Sequence, residues 1–343
     1  MALSRQTKIG LYIAVVTLFV SLGVYAYQLL FAPNLQVQRE GKMLYIPTGS
    51  KFDQVIDSLN KYEIVGDEVS FRVIARAMGY MEEVKPGAYL IPPDANNLEI
   101  VRMLINGRQT PVKLTFNNIR LPTDLARKLG ERIEADSTEL LARLSNADTC
   151  AAYGFSPATI TAMFLPNTYE VYWNLAPTSL WKKMQKAYAQ FWNTERLALA
   201  DSLHMTPVQI TTLASIVEAE TKKVDEMPIV AGVYLNRLKL GMKLQADPTV
   251  VYALQDFSIK RVRLIHMAIA SPYNTYFVEG LPPGPINLPR AQAIDAVLNP
   301  AKHDYIFFVA KKDFSGYHTF AKDYAKHLEN AREYRAALDE LKL

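Results

Sequence analysis

The stretch Ile210–Val224, ITTLASIVEAETKKV, sets apolar side chains at Ile210, Leu213, Ile216, Val217 and Val224, mostly three, four or seven residues apart. That is the period of a helix and not the alternation of a strand. The helix is expected to run over 207–223. It carries two glutamates, Glu218 and Glu220. Residues two apart on a straight helix point about 200° from each other, so both carboxyls cannot enter one cleft. Glu220 continues the apolar stripe. Glu218 shares its side with Thr211, Ala214 and Ser215 and stands four residues before Lys222, the spacing of a solvated ion pair. A carboxyl set among apolar neighbours loses solvation and holds its proton towards neutral pH. A general acid needs that property. A carboxylate buried against an Arg or Lys for structural reasons would give the same pattern, and this helix alone does not choose between the two.

On the C-terminal side a second helix is expected over 225–240, containing Tyr234, Asn236 and Arg237. It leads into the polar loop 241–249, GMKLQADPT. A Pro-containing loop over 271–289 brings Tyr273-Asn274-Thr275-Tyr276 and then Gly280-Leu281-Pro282-Pro283-Gly284-Pro285. Amide, hydroxyl and aromatic groups on stiff loops suit a sugar-binding groove, where they bond hydroxyls and cover pyranose faces. A Pro-stiffened structural loop has the same composition. The candidate substrate-binding set is Glu218, Asn236, Arg237, Gln245, Asp247, Thr249, Tyr273, Asn274, Thr275, Tyr276 and His318. Within it, Asp247 reads as a structural cap before Pro248, with a second active-site carboxylate as the alternative. A buried strand is expected over 304–310, another over 316–320 with His318, and a charged amphipathic helix over 323–341. Before the central helix come helices over 137–144 and 180–193 and a Pro-containing loop over 164–172. Runs of helices with a few short strands argue an α+β fold.

Towards the N-terminus, Met43–Ile46 reads as a strand followed by the turn Pro47-Thr48-Gly49. Ser50 stands where a helix N-cap is expected. Phe52, Val55, Ile56 and Leu59 then follow at helical spacing, as does Ser70–Met78. Tyr89–Ile91 is a strand stopped by Pro92-Pro93, and Leu98–Ile105 a helix stopped at Asn106-Gly107. Residues 43–108 thus form a small strand–helix–helix–strand–helix unit. Val112–Phe116 and a helix with Leu125 and Leu129 give a weak echo of it.

Ahead of this unit, Ile9–Phe31 holds no charge and is long enough to cross about 30 Å of hydrocarbon as a helix. Arg5 and Lys8 precede it and no basic residue follows before Arg39, which places residues 1–8 in the cytoplasm. A cleaved signal peptide is the competing reading, with Val24-Tyr25-Ala26 as a weak site, although the apolar run exceeds a signal core. Either way the chain beyond the linker 32–42 faces the extracytoplasmic side.

Composition excludes several classes. The chain has 343 residues and a net charge of +4, with no Arg/Lys tract interleaved with aromatics, so nothing points to nucleic acid. Cys150 is the sole cysteine, so no intrachain disulfide can form, and Ala147–Tyr153 offers it no activating base. The histidines at 204, 266, 303, 318 and 327 lack metal-ligand spacing, and no phosphate-binding glycine loop occurs, so no metal and no cofactor is expected.

Five strings carry a resemblance: Ala214–Thr221, Val233–Leu238, Met242–Val250, Tyr273–Tyr276 and Gly280–Ile286. In order and spacing they resemble the YceG-like family of endolytic murein transglycosylases, strongly over 207–320. The resemblance implies a membrane helix at 9–31, a LysM-like subdomain at 43–108 with Lys85–Tyr89 as its Gly-Xaa-Tyr strand, and a mainly helical catalytic domain at 109–343. It implies that Glu220 is the catalytic acid and base, and that the bond cut is the MurNAc–GlcNAc β-1,4 linkage, leaving a 1,6-anhydro end. It also implies peptidoglycan synthases as partners at the inner membrane. Asn167 departs from the Asp that relatives often carry there.

Overall fold

Two antiparallel strands whose side chains alternate into one core organise the first part of the chain. In the computed structural model, which describes residues 4–31, 40–93, 95–117 and 119–340, helix α1 (Arg5–Phe31) comes first. It is apolar on all sides and its span Arg5–Gln28 is long enough to cross a membrane. The expected linker falls largely on 32–39, outside the described residues, as does the end of the last helix beyond 340.

Strand β1 (Lys42–Ile46) pairs with β2 (Gly87–Ile91), Lys42 opposite Ile91 and Ile46 opposite Gly87. Between them lie α2 (Phe52–Lys61) and α3 (Glu68–Ala77), and α4 (Asn97–Asn106) follows. Leu44, Ile46, Val55, Phe71, Tyr89, Ile91, Ile100 and Leu104 close into one core. Asn96 caps α4 by accepting from the Glu99 amide at 2.9 Å, and Gly107 ends it in the left-handed conformation. The expected cap at Ser50 is corrected: Lys51 is the capping position, and the Gln54 side chain satisfies its amide at 2.8 Å. This unit runs to Lys113 and also takes in Arg132–Glu134 and Glu170–Leu175. The Trp173 ring lies tilted against Tyr45, 5.2 Å between centroids, and Thr48 donates through its hydroxyl to Glu134 at 2.6 Å.

The remainder forms a second, mainly helical unit. Its elements, with the strands at its margin, are β3 (Val112–Thr115), α5 (Pro122–Gly130), α6 (Ser137–Ser145), α7 (Ala147–Ala151), β4 (Thr168–Val171), α8 (Pro177–Phe191) and α9 (Thr194–Ser202). Then come α10 (Pro207–Glu220), α11 (Met227–Lys239), α12 (Asp247–Leu254), α13 (Leu264–Met267), α14 (Ala291–Leu298), β5 (Phe307–Ala310), β6 (His318–Ala321) and α15 (Tyr324–Glu340). The strands make three separate pairs, β1–β2, β3–β4 and β5–β6. The chain is therefore helix-rich with few short strands, the α+β mixture expected.

Several boundaries are corrected. The Pro-containing loop at 164–172 holds β4, and the polar loop after α11 gives way to α12 already at Asp247. Helices α9 and α14 were not expected. The strand placed at 304–310 starts at Phe307 and is half-buried. The central helix stops at Glu220, three residues early, because Thr221 turns extended and its hydroxyl accepts from the Lys223 amide at 3.1 Å.

Helix α10 is the axis of this unit. Thr206 and Gln209 cap its start reciprocally, at 3.2 and 2.8 Å. Every residue from Ile210 to Glu218 is buried, so the helix has no wet face. The apolar stripe argued above therefore does not single out Glu220, and Val224, taken as part of it, is exposed beyond the helix end. Ile210, Leu213, Ile216 and Val217 pack with Val230, Tyr234, Ile294 and Val297 in the core. Gly232 on α11 lets the 301–303 segment approach, since a Cβ there would sit 2.6 Å from the His303 ring.

Candidate active site

Glu220 is the last residue of α10, and its carboxyl meets the C-terminal end of that helix, where the dipole is negative. Tyr234 on α11 is buried and donates its hydroxyl to Glu220 Oε1 at 2.9 Å. Oε2 makes no hydrogen bond to protein among the described residues. The Tyr234 ring is fixed edge-on to Phe308 of β5, 5.9 Å away. On the other side, Tyr276 donates its hydroxyl to Asp247 Oδ1 at 2.7 Å. Glu220 is half-buried, whereas Asp247 and Gln245 are exposed, so the group opens onto the surface. Two cavities of about 560 and 640 Å³ lie elsewhere in this unit, one against Lys183 and Lys186, the other against Met205 and Pro282. Glu220 lines neither.

These surroundings push the Glu220 carboxyl up to about 7. Burial is the largest cause, and the nearby Asp247 charge adds to it; the Tyr234 hydrogen bond and the Arg237 charge pull the other way without winning. The Tyr234 phenol is itself driven well above its ordinary range, mainly by burial, so it acts as a fixed donor. Burial and then Asp247 raise Tyr276 in the same sense. A carboxyl that keeps its proton near neutrality, with one oxygen pinned and the other free, can give that proton up and take one back.

Glu218 is in a different place from the one expected. It is buried, and its carboxylate receives the Arg290 guanidinium and, at 2.7 Å, the Arg290 amide at the start of α14. The solvated pair with Lys222 is not formed: Lys222 Nζ reaches the Glu218 carbonyl instead, at 2.8 Å. Asp247 is not a cap either. Ala246 takes the N-cap position of α12, and the Asp247 side chain makes no cap bond.

Other candidates build the walls behind the site. Arg237 is buried and ties α11 to the Ile306 carbonyl at 2.6 Å and the Leu244 carbonyl at 2.7 Å. Burial lowers its affinity for the proton. Asn236 donates to the carbonyls of His303 and Tyr305. Thr249 and Thr275 are sealed in the interior, hydroxyl to hydroxyl at 2.8 Å. Asn274, also sealed, holds the carbonyls of Met267 and Ile269. The hydrogen bonds these five side chains make run to groups of the fold. Tyr273 is half-buried on the Tyr252 ring at 4.8 Å. His318 is clamped by the buried Glu226, which accepts from its ring Nδ1 at 2.8 Å and its amide at 2.6 Å. The loop carrying Gly280–Ile286 is fastened to α10 through Ser215, whose hydroxyl accepts from the Ile286 amide at 3.0 Å. Gly284 is obligatory there, because a Cβ would meet the Ala158 carbonyl oxygen at 1.9 Å.

A family model described as the YceG-like family matches residues 44–333, most of the chain. The chain belongs to the YceG-like family. Among its relatives is a Bacillus subtilis protein named endolytic murein transglycosylase, 28% identical over 86% of this chain and 85% of its own. A Streptococcus pneumoniae protein of the same name is 25% identical over 91% of this chain, which spans 62% of that longer relative. A crystal structure of a YceG-like protein from Listeria monocytogenes superposes with a TM-score of 0.57 at 25% identity, covering 85% of this chain and 99% of that one.

Two parts of this site are not legible in the sequence. Tyr234 is placed on its helix by sequence without a role, although a tyrosine inside a helical core needs a partner for its hydroxyl and so points at one. Arg290 gave no local signal, since it lies far along the chain from Glu218.

Proposed function

We propose that this chain is a membrane-anchored endolytic lytic transglycosylase of peptidoglycan, with Glu220 as its acid and base. In this reading the protonated carboxyl gives its proton to the glycosidic oxygen between MurNAc and GlcNAc, and the C1–O bond breaks. The carboxylate then removes the proton of the C6 hydroxyl of the same MurNAc. That oxygen bonds to C1 and closes a 1,6-anhydro ring, so no water is consumed and Glu220 ends protonated as it began. The single observation that carries the reading is a carboxyl raised to about 7 at the surface end of a buried helix. The names of the Bacillus and Streptococcus relatives support the same substrate and reaction class.

Residues 9–31 would hold the enzyme in the inner membrane with its N-terminus in the cytoplasm, residues 43–108 would be a LysM-like subdomain, and residues 109–343 the catalytic domain. Asp247 and Tyr276, which interact electrostatically with Glu220, and with them the exposed Gln245 and half-buried Tyr273, are the side chains this reading assigns to glycan. An enzyme so anchored would meet strands where peptidoglycan synthases make them and would end their elongation.

Asp247 favours one other reading, a hydrolytic muramidase in which it activates water. The products separate the two. Purified nascent glycan treated with the full chain should yield 1,6-anhydro ends by mass spectrometry, and Glu220→Gln should abolish their release while glycan binding persists. Reducing ends carrying added water would refute the transglycosylase reading; release unchanged in the variant would remove Glu220 as the catalyst.

A further inference from the structure

Leu264 and Ile265, at 84% and 74% exposure, are the most exposed large apolar side chains among the described residues, more so than any on α1. They stand side by side on the four-residue α13, none of whose residues is buried. Phe277 is exposed as well, on a turn bound to the same segment, because Asn274 grips the Met267 and Ile269 carbonyls at 2.9 and 2.8 Å and its own carbonyl receives the Phe277 amide. Adjacent large apolar side chains held out in water in this way mark a surface that something covers. Their charged neighbours indicate what. From Phe257 to Val278 the chain holds Lys260, Arg261 and Arg263 and no acidic residue; Asp256 and Glu279 bound the stretch. None of the three cations has a carboxylate partner among the described residues. Basic residues flanking bulky apolar ones on an exposed segment match an anionic bilayer surface, where the apolar tips enter the acyl boundary and the cations stay with the headgroups.

We infer that the 258–277 segment docks the second unit onto anionic phospholipid through Leu264, Ile265 and Phe277, steered by Lys260, Arg261 and Arg263. The inference rests on the reading of residues 9–31 as a membrane anchor. The docked segment also carries Tyr276, which bonds Asp247 near Glu220, so docking would hold Glu220 at the bilayer face and favour glycan still close to its site of synthesis.

The test uses the full chain with Ile265→Cys bearing a nitroxide, since Cys150 is buried and does not compete for label. A Leu197→Cys label on α9 is the control. Each is reconstituted into vesicles with and without phosphatidylglycerol. Collision with oxygen relative to a water-soluble nickel chelate should rise several-fold at 265 in the anionic vesicles and stay flat at 197. Replacing Lys260, Arg261 and Arg263 by Gln should lower the docked fraction about fivefold per residue, and salt should do likewise. Equal readings at 265 and 197 in a chain that floats with the vesicles would overturn the docking and leave the anchor standing. Shielding of 265 in detergent that rises with protein concentration would overturn it too, in favour of a protein partner. A chain that does not float would overturn both readings.

Discussion

Glu218 and Glu220 are the same chemical group two residues apart on one helix, and their surroundings make them opposites. Glu218 points at the start of α14, where the backbone amide and guanidinium of Arg290 meet it and the helix dipole is positive. Glu220 ends α10, where the dipole is negative, with a phenol on one oxygen and the Asp247 charge nearby. One carboxylate is neutralised by design of the fold and serves it. The other keeps its proton up to about pH 7. A carboxyl becomes useful through what the fold withholds from it, so burial alone does not distinguish the two; the partner does.

Exchanging the carboxyls for amides one at a time is the sharpest way to break this contrast. Glu220→Gln should lower release of glycan fragments by about 10²–10⁴-fold, the range of a lost general acid, while Glu218→Gln keeps release within a few-fold; equal losses would erase the distinction. Stability should respond in the other sense. Glu220 has its folded pKa raised from 4.5 to about 7, so the folded state binds the proton more tightly than the unfolded one. That contribution is whole below pH 4.5 and is lost as pH rises through about 7, in total about 3 kcal/mol at most. Glu220→Gln lacks it, so its melting temperature relative to the parent should climb between pH 4.5 and 8. A pH-independent difference would mean the carboxyl is not perturbed. Glu218→Gln should cost about 1–2 kcal/mol in denaturant unfolding, less than a fully buried pair because Arg290 is partly exposed. No loss would mean that the pair does not hold α14.

Much of the fold was legible because it follows local rules. Strands β1 and β2 alternate, α4 has its cap and its glycine stop, and α1 holds the uncharged run Ile9–Phe31, long enough to span a bilayer. Strand β4 was hidden because four residues after a Pro-Asn pair carry too little pattern to tell from a loop. What sequence could not supply was pairing across distance. Asp247 meets Tyr276 from another segment, and Glu218 meets Arg290 from farther still. The strings of the family resemblance named Asp247 and Tyr276 but not the bond between them, which is why a cap was expected instead. The apolar stripe through Glu220 is not what sets that residue apart, since α10 is buried on every side from Ile210 to Glu218.

The smallest effect expected is also the most specific. Tyr234 and Asp247 act on Glu220 in opposite senses, the phenol favouring its ionised form and the carboxylate opposing it. Tyr234→Phe should therefore move the alkaline limb of the pH–rate profile upward, and Asp247→Asn should move it downward. Asn can still accept the Tyr276 hydroxyl, so the second change removes charge while preserving the hydrogen bond. A structural disturbance would lower the rate at all pH values in both variants, and only an electrostatic one shifts the limb in two directions. Titration of a carbon-13-labelled Glu220 side chain in each variant reads the same displacement without turnover. Two shifts of one sign would show that neither group tunes this carboxyl, and would return its proton affinity to burial and the helix end alone.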